Sequence, residues 1–155
     1  MVVTALQRRV VTAAEVALAE RGYVTAIDVF LGVGWLAPAD LDRWRQGRVE
    51  CLERVVHASL PKLTRAMAEL RRWAERRGLK PSETGYVTHG RGRRRPLRFS
   101  VSGTPAIERA YRTHWVSPAL AAAKRASSQA HWSTVGGVGG IRCRCTRGAT
   151  GSPPC

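Results

Sequence analysis

The sequence predicts a mainly α-helical domain with a helix-turn-helix-like corner, one long kinked helix and a β-hairpin. Three observations carry this. Apolar residues recur at helical spacing through residues 4–76, and glycines and prolines stand where helices start and stop. Past Pro81 the apolar period shortens to two. A chain of 155 residues suits one domain, placed at 1–125. Residues 126–155 are expected to hold the end of a last helix and a disordered Gly/Arg/Cys tail, because from Trp132 the periodicity is lost.

Thr4 to Arg21 reads as a helix, with Leu6, Val10, Ala14, Ala17 and Leu18 on one face, Thr4 as cap and Gly22 as stop. Tyr23-Val24 is a short connection. Thr25 opens a second, short helix with Asp28 in capping-box position, and Gly32 and Gly34 end it. Pro38 starts a third, which carries Asp40 and Asp42 in its first turn and stops at Gly47. Val49, Leu52, Val56, Leu60, Leu63, Met67, Leu70 and Ala74 then follow in steps of three and four. Their unbroken phase reads as one helix of about 30 residues kinked at Pro61, with a break and a fresh cap at Ser59 as the competing reading. Gly78 and Leu79 fit a Schellman ending.

Beyond it, Tyr86-Val87-Thr88 and Leu97 to Val101 are β-prone arms of a hairpin, 86–101, whose loop is HGRGRRRP. Pro105 begins a helix containing Ile107, Ala110 and Tyr111, and its continuation would set Glu108, Arg112 and Trp115 on one face. Ser117-Pro118 opens the last helix, reaching about Ala130.

Charge supplies the functional signal. The chain holds 26 basic residues, 23 of them Arg, against 11 acidic ones, for a net charge of +15. Residues 1–78 carry 13 basic and 9 acidic residues, net +4, whereas 79–155 carry 13 and 2, net +11. Such a field gathers polyanions. The expected partner is nucleic acid, DNA ahead of RNA. Arg91, Arg93, Arg94, Arg95 and Arg98 would neutralise phosphates, with Arg43, Arg45 and Arg48 as a second contact set. Tyr111 and Trp115 would pack the hairpin base or stack on an unpaired base.

The segment AIDVFLGVGWLAPADLDRWRQGR, 26–48, resembles a helix-turn-helix, although its turn has about one residue more than the usual pattern and two acids lead the second helix. A plain helical corner built on Trp35, Leu36, Leu41 and Trp44 is the alternative. Two other function classes stay open. Glu108, His89 and His114 are ingredients for a nucleic-acid-processing phosphodiesterase, provided they converge in one cleft. The 49–74 stripe would suit a helical adaptor or homodimer.

Several chemistries are not expected. The longest uncharged apolar run, Val29 to Ala37, is nine residues, too short to span a bilayer. Arg8 and Arg9 precede a stretch interrupted by Thr12, Glu15 and Glu20, so no signal peptide is read and a cytoplasmic location is expected. Four cysteines at irregular spacing make no disulfide framework. Cys143, Cys145, Cys155 and His131 match no common zinc module, and Gly136 to Gly140 lacks the Lys-Ser/Thr of a phosphate loop. No cofactor or metal is expected.

GYVTAIDVFLGVGWLAP, WRQGRVECLERVV, RRWAERRGLKPSE and IERAYRTHWVSP together resemble small uncharacterised bacterial proteins over about residues 20–120. The resemblance implies a bacterial, cytoplasmic setting. It carries over no catalytic or binding residue.

Overall fold

In the computed structural model, which describes residues 2–123, the chain begins as its apolar spacing requires. The tail, its cysteines and the distal part of the last helix lie outside the described residues. α1 spans Ala5–Arg21 and buries Val10, Ala13, Ala14 and Ala17. Thr4 Oγ1 accepts the Gln7 N–H at 3.2 Å, and left-handed Gly22 closes the helix with its N–H on the Leu18 carbonyl at 2.8 Å. β1 is Tyr23–Val24. α2, Ala26–Val33, opens on the expected capping box: Thr25 Oγ1 accepts from Asp28 N at 3.2 Å, and Asp28 Oδ2 accepts from Thr25 N at 2.9 Å. A Cβ placed on Gly32 would sit 2.4 Å from the Ala13 Cβ, so the glycine sets how closely α1 and α2 approach. Residues 34–37 lead into α3, Pro38–Arg45, which buries Leu41 and Trp44.

The long kinked helix predicted over 49–74 does not form. Residues 52–54 make a 3₁₀ turn, and α4 begins only at Leu60, with Ser59 as cap and Pro61 in its first turn, and runs to Arg76. The physical reason is double. A proline in the first turn sacrifices no helical hydrogen bond, whereas one in the interior does. The residues before it are also bonded elsewhere: Leu52 N donates to the Arg98 carbonyl at 3.1 Å and Glu53 N to the Phe99 carbonyl at 2.9 Å. The stripe survives because both segments face the same core. Leu52, Val56, Leu63, Leu70 and Ala74 are buried, while Leu60 at the break is 61% exposed. His57, expected on that helix, lies in the irregular segment and is exposed. α4 ends in the expected Schellman motif, Leu79 N on the Ala74 carbonyl at 3.0 Å and Gly78 N on that of Glu75 at 3.1 Å.

A small antiparallel sheet was not expected. β2 (Lys80–Glu83) and β1 flank β3 (Thr113–Val116), in the order β1-β3-β2. Tyr23 faces Val116 and Val24 faces Trp115 on one side; Pro81 faces Trp115 and Ser82 faces His114 on the other. α5 is therefore short, Pro105–Arg112, and Trp115 belongs to a strand rather than to the helix face shared by Glu108 and Arg112. After Ser117, whose Oγ accepts from Leu120 N at 3.2 Å, residues 118–123 are helical.

The hairpin exists in outline only. Val87 bridges Pro96, Leu97 N donates to the Tyr86 carbonyl at 2.9 Å, and Thr88 N donates to that of Arg95 at 2.8 Å. The returning arm then leaves its partner and bridges Cys51 through Arg98. No described helix is long and apolar enough to cross a membrane.

Candidate nucleic-acid interface

The two arginine sets predicted from the sequence lie against each other. Trp44 on α3 is fully buried, and its indole Nε1 donates to the Arg98 carbonyl at 2.7 Å, pinning the returning arm of the hairpin. His89 N on the outgoing arm donates to the Arg45 carbonyl at 2.7 Å. Between these bonds Gly47, at φ +74°, lies under the hairpin. A Cβ there would stand 3.0 Å from both Arg95 Nη2 and Thr88 Cγ2. The end of α3 and the base of the arginine loop are thus one structural unit.

Not all eight arginines are equivalent. Arg43 pairs with Asp40 at 3.2 Å. Arg98, though exposed, folds back on its own chain, donating to the Val101 carbonyl at 3.1 Å and lying 3.8 Å from Glu50. Among the described residues, no carboxylate pairs with Arg45, Arg48, Arg91, Arg93, Arg94 or Arg95. Arg45 is half-buried and the other five are exposed. Glycines at 90 and 92, with φ of 120° and 116°, carry the loop through backbone conformations that side-chain-bearing residues rarely adopt.

The acids of this region hold the backbone. Glu108 accepts from Phe99 N at 3.1 and 3.2 Å, from Ser100 N at 2.7 Å and from Ser100 Oγ at 2.7 Å. Glu53 accepts from Val101 N at 2.8 Å and from the Tyr111 hydroxyl at 3.0 Å. Phe99, held between them, meets Trp44 at 4.9 Å and Tyr86 at 5.0 Å, and stacks on Tyr111 at 5.6 Å. Burial pushes the Tyr86 hydroxyl up to about 12 and raises that of Tyr111 as well, the latter reinforced by Glu53. Tyr111 and Trp115 are both buried, so neither stands open to a base; Tyr111 packs on Phe99 of the returning arm, whereas Trp115 lies in β3 opposite Val24 and Pro81.

The three residues considered for phosphodiester chemistry are engaged separately. Glu108 binds backbone N–H groups, as above. His114 shares a hydrogen bond with the Tyr86 hydroxyl through its Nε2, 2.6 Å away, and stacks on Tyr23 at 5.5 Å. His89 is exposed on the hairpin. Among the described residues, no group of three or more His, Cys, Asp and Glu side chains could hold a metal ion.

Sequence reasoning named Trp44 and Glu108 for other roles, and missed Glu53 and the anchoring that all three provide. The signal for Glu108 was present: it is the sole acid after Glu83, and it follows Ser102-Gly-Thr-Pro105, a turn leading into a helix. No family model, no curated protein and no solved structure matches this chain.

Proposed function

We propose that this protein binds nucleic acid without catalysis, contacting the phosphates of duplex DNA through the face made by the arginine loop and the end of α3. The observation that carries the reading is the bond from His89 to Arg45, which ties the loop bearing Arg91, Arg93, Arg94 and Arg95 to the end of α3 bearing Arg45 and Arg48; among the described residues none of the six has a carboxylate partner. Unneutralised guanidinium groups repel one another, and a phosphate backbone relieves that repulsion while releasing its counterions. Arg43 and Arg98 contribute field rather than direct contacts, because each already has an acidic neighbour. The α2–α3 corner serves here as the hairpin's support: Asp40 and Asp42 lead α3, where a groove-reading helix would meet phosphate. A cytoplasmic setting goes with this reading.

The test is a fluorescence-anisotropy titration of a labelled duplex at several salt concentrations. Log affinity should fall linearly with log salt, by about 0.9 for each phosphate contact. Replacing Arg93, Arg94 and Arg95 by Ala should reduce that slope by roughly 2–3 and weaken unrelated sequences equally. An unchanged slope would move the contact to Arg45 and Arg48. A tighter complex with duplex RNA would reassign the ligand, and no binding at low salt by either protein would remove the reading.

A further inference from the structure

A second cationic site lies where α1 and α4 both begin. A groove of about 380 Å³ is lined there by Arg9, Lys62 and Arg65, by Leu6 and Pro61, and by the indole of Trp35. Its size falls within the range of small-molecule sites and is far too small for a duplex. No acid lines it, and neither helix carries one in its first turn. Helix starts ordinarily gather carboxylates, since the dipole there is positive. Here two helix starts and three cations converge uncompensated; among the described residues none of the three has a carboxylate partner. Among the described residues, Arg9 alone of the three has a hydrogen-bond acceptor, the Val33 carbonyl.

The aromatic wall is fixed in advance. Trp35 N donates to the Phe30 carbonyl at 2.9 Å, the Trp35 carbonyl accepts from His57 N at 2.7 Å, and the ring rests 6.4 Å from that of Phe30. Trp35 remains half-exposed. A flat apolar plate beside a cluster of cations is complementary to a molecule that joins a phosphate to a planar base. We infer that this groove binds a nucleoside monophosphate, either free or as the phosphorylated end of a strand, with the phosphate on Arg9, Lys62 and Arg65 and the base against Trp35. The site is separate from the arginine loop, and neither reading requires the other.

Isothermal titration at low salt with adenosine 5′-monophosphate, adenosine and inorganic phosphate tests this. The monophosphate should bind saturably. Inorganic phosphate should bind at least about fivefold more weakly, because it lacks the stacked base. The double variant Lys62→Ala/Arg65→Ala should lose at least tenfold in monophosphate affinity, with an unchanged far-ultraviolet spectrum. Trp35→Leu should weaken the monophosphate and leave inorganic phosphate unaffected. The loop variant Arg93→Ala/Arg94→Ala/Arg95→Ala should bind the monophosphate as the native chain does, which separates failure here from failure of the DNA reading. In that loop variant, a single-stranded oligonucleotide bound more tightly with a 5′-phosphate than with a 5′-hydroxyl identifies a strand end; equal binding identifies the free nucleotide. No saturable monophosphate binding, or binding lost in the loop variant and kept in Lys62→Ala/Arg65→Ala, overturns the site. Equal affinity for monophosphate and inorganic phosphate overturns the nucleotide assignment.

Discussion

The helices of 5–76 and the segment 84–103 are held by different means. In the helical region side chains interlock: α1 closes on α2 over Gly32, and Leu63, Ala66 and Leu70 of α4 are essentially inaccessible to solvent. The 84–103 segment has five arginines and few residues to bury, Leu97 and Phe99 chief among them. Its backbone is gripped instead, by Trp44, Glu53 and Glu108 and by the carbonyl of Arg45. A polycationic loop cannot supply a core of its own. The contrast teaches that such a loop can be positioned from its base alone, leaving its charged tip available.

The strongest challenge to this contrast is Phe99→Ala. Phe99 is where the two regions share a core, so its loss should cost about 3–5 kcal/mol in urea unfolding. A cost under about 1 kcal/mol would mean that the segment is not packed on the helices at all. Glu108→Ala should cost about 2–3 kcal/mol, since it strands the buried N–H groups of Phe99 and Ser100. Amide hydrogen exchange should rise at 99–103 and stay slow in α1 and α4; a uniform rise would erase the distinction between gripped and interlocked regions. Gly32→Ala probes the other side. Its Cβ would collide with Ala13, so the cost should be about 1–3 kcal/mol, with affinity for duplex DNA unchanged.

The smallest effect at neutral pH comes from the tyrosines. Tyr86 has its hydroxyl raised to about 12 by burial, against about 10 in the unfolded chain. Folding therefore favours the neutral form. The associated stability is complete below pH 10 and is lost as the pH climbs from there through 12, with Tyr111 shifting in the same direction. The melting temperature of the native chain should fall above pH 10, and Tyr86→Phe should make that fall shallower. A melting temperature flat to pH 12 would place these hydroxyls in water.

Much of the helical region was legible because its signals are local. The caps at Thr4 and Thr25, the proline start of α3 and the Schellman end of α4 each depend on residues a few positions apart. The break at Ser59 was not decidable from periodicity, because two segments packed on one core keep one phase. What defeats the kinked-helix expectation is a pairing of residues 51–53 with 98–99, which no local pattern encodes. The sheet was illegible for a related reason. Its strands have two to four residues, and Lys80-Pro-Ser-Glu83 shows no alternation of apolar residues. At the candidate interface the arginine run was evident from composition. Which arginines are already neutralised, Arg43 by Asp40 and Arg98 by Glu50, depends on distances that only the fold sets.

Pro81 has a consequence for behaviour in a crowd. Thr84 donates its N–H to the Arg112 carbonyl, at 3.1 Å. The alternation of a strand then turns the N–H groups of Ser82 and Lys80 the same way, toward β3, and those of positions 81 and 83 outward. Position 81 has none to offer. The outer rim of β2 keeps one donor, at Glu83, and β1 on the opposite rim is two residues long. A chain whose charge is cancelled on a polyanion loses the repulsion that keeps copies apart. This sheet gives such crowded copies almost no rim on which to add a strand, so charge neutralisation need not end in edge-to-edge aggregation.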